Sequence, residues 1–200
     1  MARVAFFTER IDDSIGSFAF ELMTGLADQQ HDLRVYSTYR EGEVLPETNS
    51  RLQIIRPFRK WNWLELGYLV PLLMEQQPEI LHFIQPHDQT LKGFTNAMAA
   101  IPVMGQLIQK PVCVVSLYDF KERDLDRYRT LLFTADAVTV SNASQARAVE
   151  HWMQKASKRA QVSIVPLPSS TRSIGDDFET SPMIERFICD EKVVLIPGDV

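Results

Sequence analysis

The sequence is poor in the features that define several classes of protein. Its 200 residues contain two cysteines, Cys113 and Cys189, which excludes a disulfide-rich scaffold and favours a reducing cytoplasm. No apolar run approaches the roughly 20 residues that a membrane-spanning helix needs. Acidic residues outnumber basic ones by 26 to 21, so the net charge of −5 gives no general attraction to nucleic acid. We therefore expect a cytoplasmic protein without a nucleic-acid partner.

Glycine is scarce at the point where nucleotide-binding loops concentrate it. The loop after the first predicted strand contains only Gly16, so it lacks both the three-glycine dinucleotide fingerprint and the P-loop motif. This disfavours a dinucleotide-dependent oxidoreductase. Backbone amides at the start of a helix can nevertheless receive a phosphate or sugar oxygen. Gly16 and Ser17 are therefore candidate substrate-binding residues, with an ordinary turn as the alternative.

The four histidines show no metal-ligand spacing, so we expect no metal and no cofactor. His82 lies within a predicted strand and is interpreted as a core residue. His87 follows the end of that strand, where residues of loops often contact ligands. It is a candidate substrate-binding residue.

Short apolar segments alternate with segments of helical periodicity along most of the chain. This pattern predicts a doubly wound, mostly parallel, Rossmann-like α/β sheet with helices on both faces. Strands are predicted at residues 3–7, 33–37, 52–55, 79–84, 112–115, 137–140 and 162–165. A helix capped by Ser14 or Ser17 is predicted after the first strand, and others over residues 61–77, 91–109 and 123–133. A further helix is predicted to be capped by Ser141 or Asn142.

Residues 110–120 contain the strongest candidate site. The run from Val112 to Val115 predicts a strand buried on both faces, followed by Tyr118 and Asp119. Ligands of parallel sheets bind beyond the carboxyl ends of the strands. Asp119 can accept a proton or a sugar hydroxyl, or cap the next helix; Tyr118 can donate a hydrogen bond, or simply pack. Both are candidate catalytic residues.

A basic and aromatic cluster offers a candidate surface for an anionic lipid or a large acceptor. Its members are Arg56, Arg59, Lys60, Trp61 and Trp63. The alternative interpretation is a helix start whose tryptophans pack inward.

Composition divides the chain into three parts. We expect a Rossmann-like domain over residues 1–170, a linker over 171–190, and the first strand of a second, truncated domain over 191–200.

Five segments, in order along the chain, resemble the amino-terminal half of a GT-B glycosyltransferase of the retaining family 4 type. Residues 26–35 resemble that family's entry into its second strand, and residues 78–82 resemble its proline-aspartate-isoleucine-valine-histidine strand. Residues 110–120 resemble its lysine-proline strand, and residues 135–141 resemble its alanine-aspartate strand. Residues 192–198 resemble the first strand of its second domain.

The resemblance implies an acceptor-binding N-terminal domain of a hexosyltransferase-like enzyme that uses a nucleotide-sugar. The cleft between the two domains would be lined on this side by Gly16, His87, Tyr118 and Asp119. Tyr118 stands where the family has a histidine. The acceptor would be a small molecule, glycan or lipid, which includes a peripheral membrane contact. The domain would be inactive without its C-terminal partner domain. The alternative is a non-catalytic α/β binding or interaction module derived from such a domain, which the substitution at Tyr118 favours.

Overall fold

A computed structural model describes most of the first 165 residues. The described residues are 1–9, 11, 14–39, 41, 48–61, 67–85, 101, 110–118 and 120–165. The chain divides into two units, Met1–Pro166 and Leu167–Val200, and every described residue lies in the first. The predicted linker, the predicted strand at 191–200 and all but Ile101 of the predicted helix 91–109 lie outside the described residues.

Seven strands form one sheet in which every neighbouring pair is parallel. The strands are β1 Arg3–Phe7, β2 Asp32–Thr38, β3 Leu52–Phe58, β4 Ile80–Ile84, β5 Val112–Leu117, β6 Ala137–Val140 and β7 Gln161–Ile164. Their order in the sheet is β3-β2-β1-β4-β5-β6-β7. The predicted fold class is therefore confirmed, and the sheet is parallel throughout the described strands.

Four α-helices and one 3₁₀ helix are described between the strands. They are α1 Ser14–Asp28, α2 Leu69–Gln76, the 3₁₀ helix Glu122–Tyr128, α3 Arg129–Thr134 and α4 Ala143–Lys155. The predicted cap of α4 is confirmed, because the Asn142 side-chain oxygen accepts a hydrogen bond from the Gln145 amide at 2.9 Å. None of the helices in the described part of the chain combines the length and apolarity that a bilayer span requires.

The core consists of two apolar clusters, one on each face of the sheet. Neighbouring side chains of a strand point to opposite faces, so Phe6 and Phe7 of β1 enter different clusters. Phe6 packs with α1 residues such as Met23. Phe7 shares its cluster with Leu73 of α2 and Met153 of α4. The sheet is the layer that both clusters share.

Several details of the predicted elements were wrong. Helix α1 begins at Ser14, so Gly16 and Ser17 lie in its first turn and not in a preceding loop. Within the described residues, the helix predicted from Trp61 begins at Leu69, after a turn at Gly67 and Tyr68. In β5 the prediction of burial on both faces fails at the amino end, because Val112 is 48% exposed whereas Cys113 is fully buried.

Strand β3 is an outer strand of the sheet and contains a proline. It continues past the predicted end at Ile55 to include Pro57. Proline cannot donate a ladder hydrogen bond and is therefore confined to outer strands and bulges. The pairing of β3 with β2 shifts register next to this position, between Tyr36 and Thr38.

Candidate functional site

The candidate site lies at the carboxyl edge of the sheet, where β1, β4, β5 and β6 end. The direction of the strand order reverses between β1 and β4, which form a topological switch point. In parallel α/β sheets ligands bind outside this edge. The described residues closest to the strand ends here are Thr8, Gln85, Tyr118 and Ser141.

Gln85 connects the ends of β4 and β5 with the 3₁₀ helix. Its side-chain oxygen accepts a hydrogen bond from the Tyr118 amide at 2.7 Å, and its side-chain nitrogen donates to the Tyr128 hydroxyl at 2.9 Å. Its own amide donates to the Ser116 carbonyl. The residue is buried, so these polar groups are satisfied by protein and not by water. The backbone that leaves β5 is therefore fixed to the end of β4.

Gln145 of α4 also binds the backbone of Tyr118. Its side-chain nitrogen donates to the Tyr118 carbonyl at 2.7 Å, and its side-chain oxygen accepts from the Ser141 hydroxyl at 2.6 Å and the Ser141 amide at 3.0 Å. Since Asn142 caps the amide of Gln145, the first turn of α4 orients this side chain. Both backbone groups of Tyr118 are thus bound by glutamine side chains, which connect the exit of β5 to β4 and α4.

A buried polar chain runs below this edge across three strands. The His82 Nε2 and Ser116 Oγ atoms lie 2.6 Å apart, as do Ser116 Oγ and Thr139 Oγ1. Burial lowers the pKa of His82 from its usual 6.5 to about 4, so the imidazole is neutral at physiological pH. The interpretation of His82 as a core residue is confirmed, and its ring also lies 4.7 Å from that of Phe6.

Tyr118 is buried, with 3% of its surface exposed. Its ring belongs to the apolar cluster that contains Phe6 and Ile84. Burial raises the pKa of its phenol, and hydrogen bonding with Ser116 and Thr139 counteracts this in part. A neutral, packed phenol corresponds to the alternative in which Tyr118 simply packs. Its catalytic role stays a prediction.

The other predicted site residues are distributed unevenly over the described chain. Asp119, His87 and Trp63 lie outside the described residues. Gly16 and Ser17 occupy the first turn of α1, which begins seven positions after β1 ends. The structure brings Tyr118 to the ends of β4 and β6. The roles assigned to the other five residues stay predictions.

The basic and aromatic cluster separates into inward and outward parts. Trp61 is 7% exposed and packs edge-on against Phe7, with ring centroids 6.3 Å apart. This is the inward packing of the alternative interpretation. Arg59 and Lys60 are exposed, and Arg56 lies within β3 rather than at a helix start. A contact with an acceptor or membrane through these three cations stays a prediction.

Comparison with solved structures relates this fold to three other proteins. A sucrose-phosphate synthase from Thermosynechococcus elongatus matches with a TM-score of 0.55 and 13% identity, over 84% of this chain and 90% of that one. Anabaena HepE, in complex with UDP and glucose, matches with a TM-score of 0.52 and 13% identity, over 94% of this chain and 49% of that one. A ugt transferase from Siraitia grosvenorii, in complex with UDP, matches with a TM-score of 0.51 and 12% identity, over 83% of this chain and 51% of that one.

These likenesses establish the class of fold, a Rossmann-like α/β domain of the kind that GT-B glycosyltransferases contain. The chain spans about half the length of the HepE and ugt transferase chains that it matches. No family model matches the sequence, and no curated protein does.

Proposed function

We propose that this chain is the acceptor-binding, N-terminal domain of a retaining glycosyltransferase that uses a nucleotide-sugar. The observation that supports this most is the coincidence of the GT-B-like fold with a rigid polar edge at the ends of β4, β5 and β6. The HepE structure contains UDP and glucose, the donor chemistry of such an enzyme. The acceptor would be a small molecule, a glycan or a lipid.

The proposed reaction assigns different tasks to different residues. Gln85 and Gln145 fix the backbone of Tyr118, and Asp119 accepts a hydrogen bond from an acceptor hydroxyl. The first turn of α1, with Gly16 and Ser17, offers backbone amides to a phosphate or sugar oxygen. Departure of the nucleotide needs electrostatic stabilisation, which a second domain would supply. Neither a metal nor a cofactor is part of the proposal.

A non-catalytic binding module is the second candidate. The observation in its favour is Tyr118, which replaces the histidine of the family pattern and is buried with a raised phenol pKa. Such a module would bind a sugar or glycan at the same edge and would catalyse no transfer.

Nucleotide release by the full-length gene product separates the two candidates. The protein is incubated with UDP-, GDP- and ADP-sugars and a panel of glycan acceptors, and free nucleotide is measured. Asp119→Ala should lower turnover by about tenfold or more without loss of folding. Asp28→Ala, an exposed carboxylate at the carboxyl end of α1, should leave turnover unchanged.

Glycan binding without nucleotide release would support the binding module instead. If the protein neither binds a glycan nor releases nucleotide with any donor, both candidates are contradicted. If turnover is unchanged in Asp119→Ala, Asp119 has no catalytic role and acts as a helix cap.

A further inference from the structure

A groove on the surface of the first unit lies between the 3₁₀ helix and α4. Two adjoining cavities of about 810 and 700 Å³ form it, and both are lined by Lys121, Glu122 and His151. One end reaches Phe120, just after β5, and the other reaches Ala156, beyond the end of α4. Volumes of this size are typical of small-molecule sites.

Positive charge is concentrated along this groove. Among the residues that the structure describes, five exposed cations line it against two carboxylates, in a chain whose net charge is −5. The cations are Lys121, Arg123, Arg129, Arg147 and Lys155, and the carboxylates are Glu122 and Asp126. Lysine and arginine are charged at any physiological pH. The local field is therefore opposite in sign to that of the whole chain.

The structure leaves these charges without neutralising partners. Across the described residues, none of the five cations forms an ion pair. Arg129 lies over the ring of Phe133, with the guanidinium carbon 5.5 Å from the centroid, and this contact leaves its charge in place. The Asp126 carboxylate accepts a hydrogen bond from the Trp152 indole at 2.8 Å, which orients it toward that ring. These exposed cations are therefore available to bind an anion from solution.

We propose that this groove binds a ligand with two or more phosphate groups, either free in solution or carried on a lipid headgroup. Three arginines supply planar pairs of donors that match phosphate oxygens, and two lysines supply compact charges. The side chain of Trp152 forms part of the wall and offers apolar surface to the portion of the ligand that bears the phosphates. One cavity of the groove adjoins the polar edge through Gln145, but the inference does not rest on the proposed glycosyltransferase function.

Two charge-reversal variants test whether binding depends on the cations of the groove or only on the net charge of the chain. Arg123→Glu with Lys155→Glu removes two cations of the groove. Lys110→Glu with Arg159→Glu is the matched control, because both of its residues are exposed, neither lines the groove and the change in net charge is the same. Urea unfolding midpoints establish that both variants are folded.

Two probes distinguish the sources of phosphate. Inorganic tripolyphosphate is titrated calorimetrically for the free ligand, and phosphatidylcholine vesicles with and without phosphatidylinositol bisphosphate are sedimented for the headgroup. At least one probe should bind the unmodified chain, and the groove variant should bind it at least about tenfold more weakly because two charge-assisted contacts are lost. The control should bind as the unmodified chain does.

Binding of tripolyphosphate alone would identify a free ligand, and binding of phosphatidylinositol bisphosphate vesicles alone would identify a headgroup. The proposal is overturned if neither probe binds, or if the control variant loses as much affinity as the groove variant.

Discussion

Burial determines the reactivity of the thiol and the imidazole in the central strands. Cys113 is fully buried in β5, and burial together with the Asp136 carboxylate raises the pKa of its thiol to about 12. Only the thiolate reacts readily with alkylating agents. The sequence predicts this inert state, because Cys113 lies within an apolar run.

Iodoacetamide at mildly alkaline pH should therefore leave Cys113 unmodified in the native protein and label it in urea. Val112→Cys offers a comparison at the neighbouring, 48% exposed position of the same strand, and should be labelled rapidly. Peptide mass mapping measures both sites. Equal labelling rates at the two positions would show that β5 opens readily.

His82 makes stability depend on pH. The unfolded histidine, with a pKa near 6.5, binds a proton before the buried one, whose pKa is about 4. The unfolded state therefore binds more protons between these values, and the free energy of unfolding should fall as pH decreases from about 6.5 to 4, by roughly 3 kcal/mol for this group. Urea titrations over this range should show the slope, and His82→Gln should flatten it.

His151→Gln is the control for that measurement, because His151 is exposed. Its slope should match that of the unmodified protein. A slope in His82→Gln equal to that in the control would assign the acid sensitivity to other groups.

Among the elements, the junction of β4, β5 and the 3₁₀ helix depends on one side chain. Gln85→Met removes the acceptor of the Tyr118 amide and the donor to the Tyr128 hydroxyl, and leaves both groups buried. We expect a loss of about 1–3 kcal/mol in the free energy of unfolding for an unsatisfied buried group. Tyr128→Phe removes one of these hydrogen bonds only and should cost less.

Urea unfolding of the two variants, followed by circular dichroism, makes this comparison. If Gln85→Met proves no more destabilising than Tyr128→Phe, the hydrogen bond to the Tyr118 amide contributes nothing to the junction.

Elements with a single strong local signal were predictable from the sequence. Helix α4 has the predicted Asn142 cap, and its apolar residues at helical spacing, Ala146, Val149 and Met153, are buried. The predicted helix 123–133 instead comprises a 3₁₀ helix followed by α3. The buried residues of the 3₁₀ helix, Leu125 and Tyr128, are three positions apart, which suits its three-residue turn.

The polar edge could not be derived from the sequence in the same way. Gln85 and Gln145 gain their roles from partners 33 and 27 positions away, which only the pairing of β4, β5 and β6 brings together. No local pattern distinguishes them from surface glutamines. The burial of Tyr118 likewise depends on Phe6 of β1, which is distant in sequence.

At the scale of the whole molecule, one sheet is common to both apolar clusters. Met23→Ala empties part of the cluster beneath α1 and should cost about 2–5 kcal/mol. Trp61 and Trp152 lie in or against the opposite cluster. Because the sheet couples the faces, we expect tryptophan fluorescence and circular dichroism to report the same lowered unfolding midpoint.

Met74→Ala, at a 54% exposed position, should shift the midpoint little and serves as the comparison. Fluorescence that keeps its original midpoint in Met23→Ala, while circular dichroism shifts, would mean that the two faces unfold separately.

The alternation of strands and helices was sufficient to predict the class of fold, since each crossover of a parallel sheet needs a connecting segment. The strand order was not predictable in this way, because β1 pairs with β4 as well as β2. That choice depends on contacts across more than 70 residues of chain.

Pro57 also affects how the molecule behaves among its own copies. An outer strand with a full row of free amides can recruit a strand from a neighbouring molecule and start a growing stack. In β3 the pairing with β2 shifts register beside Pro57, which disturbs the regular geometry that stacking requires. This irregularity should disfavour the addition of a strand from a neighbouring molecule at this margin of the sheet.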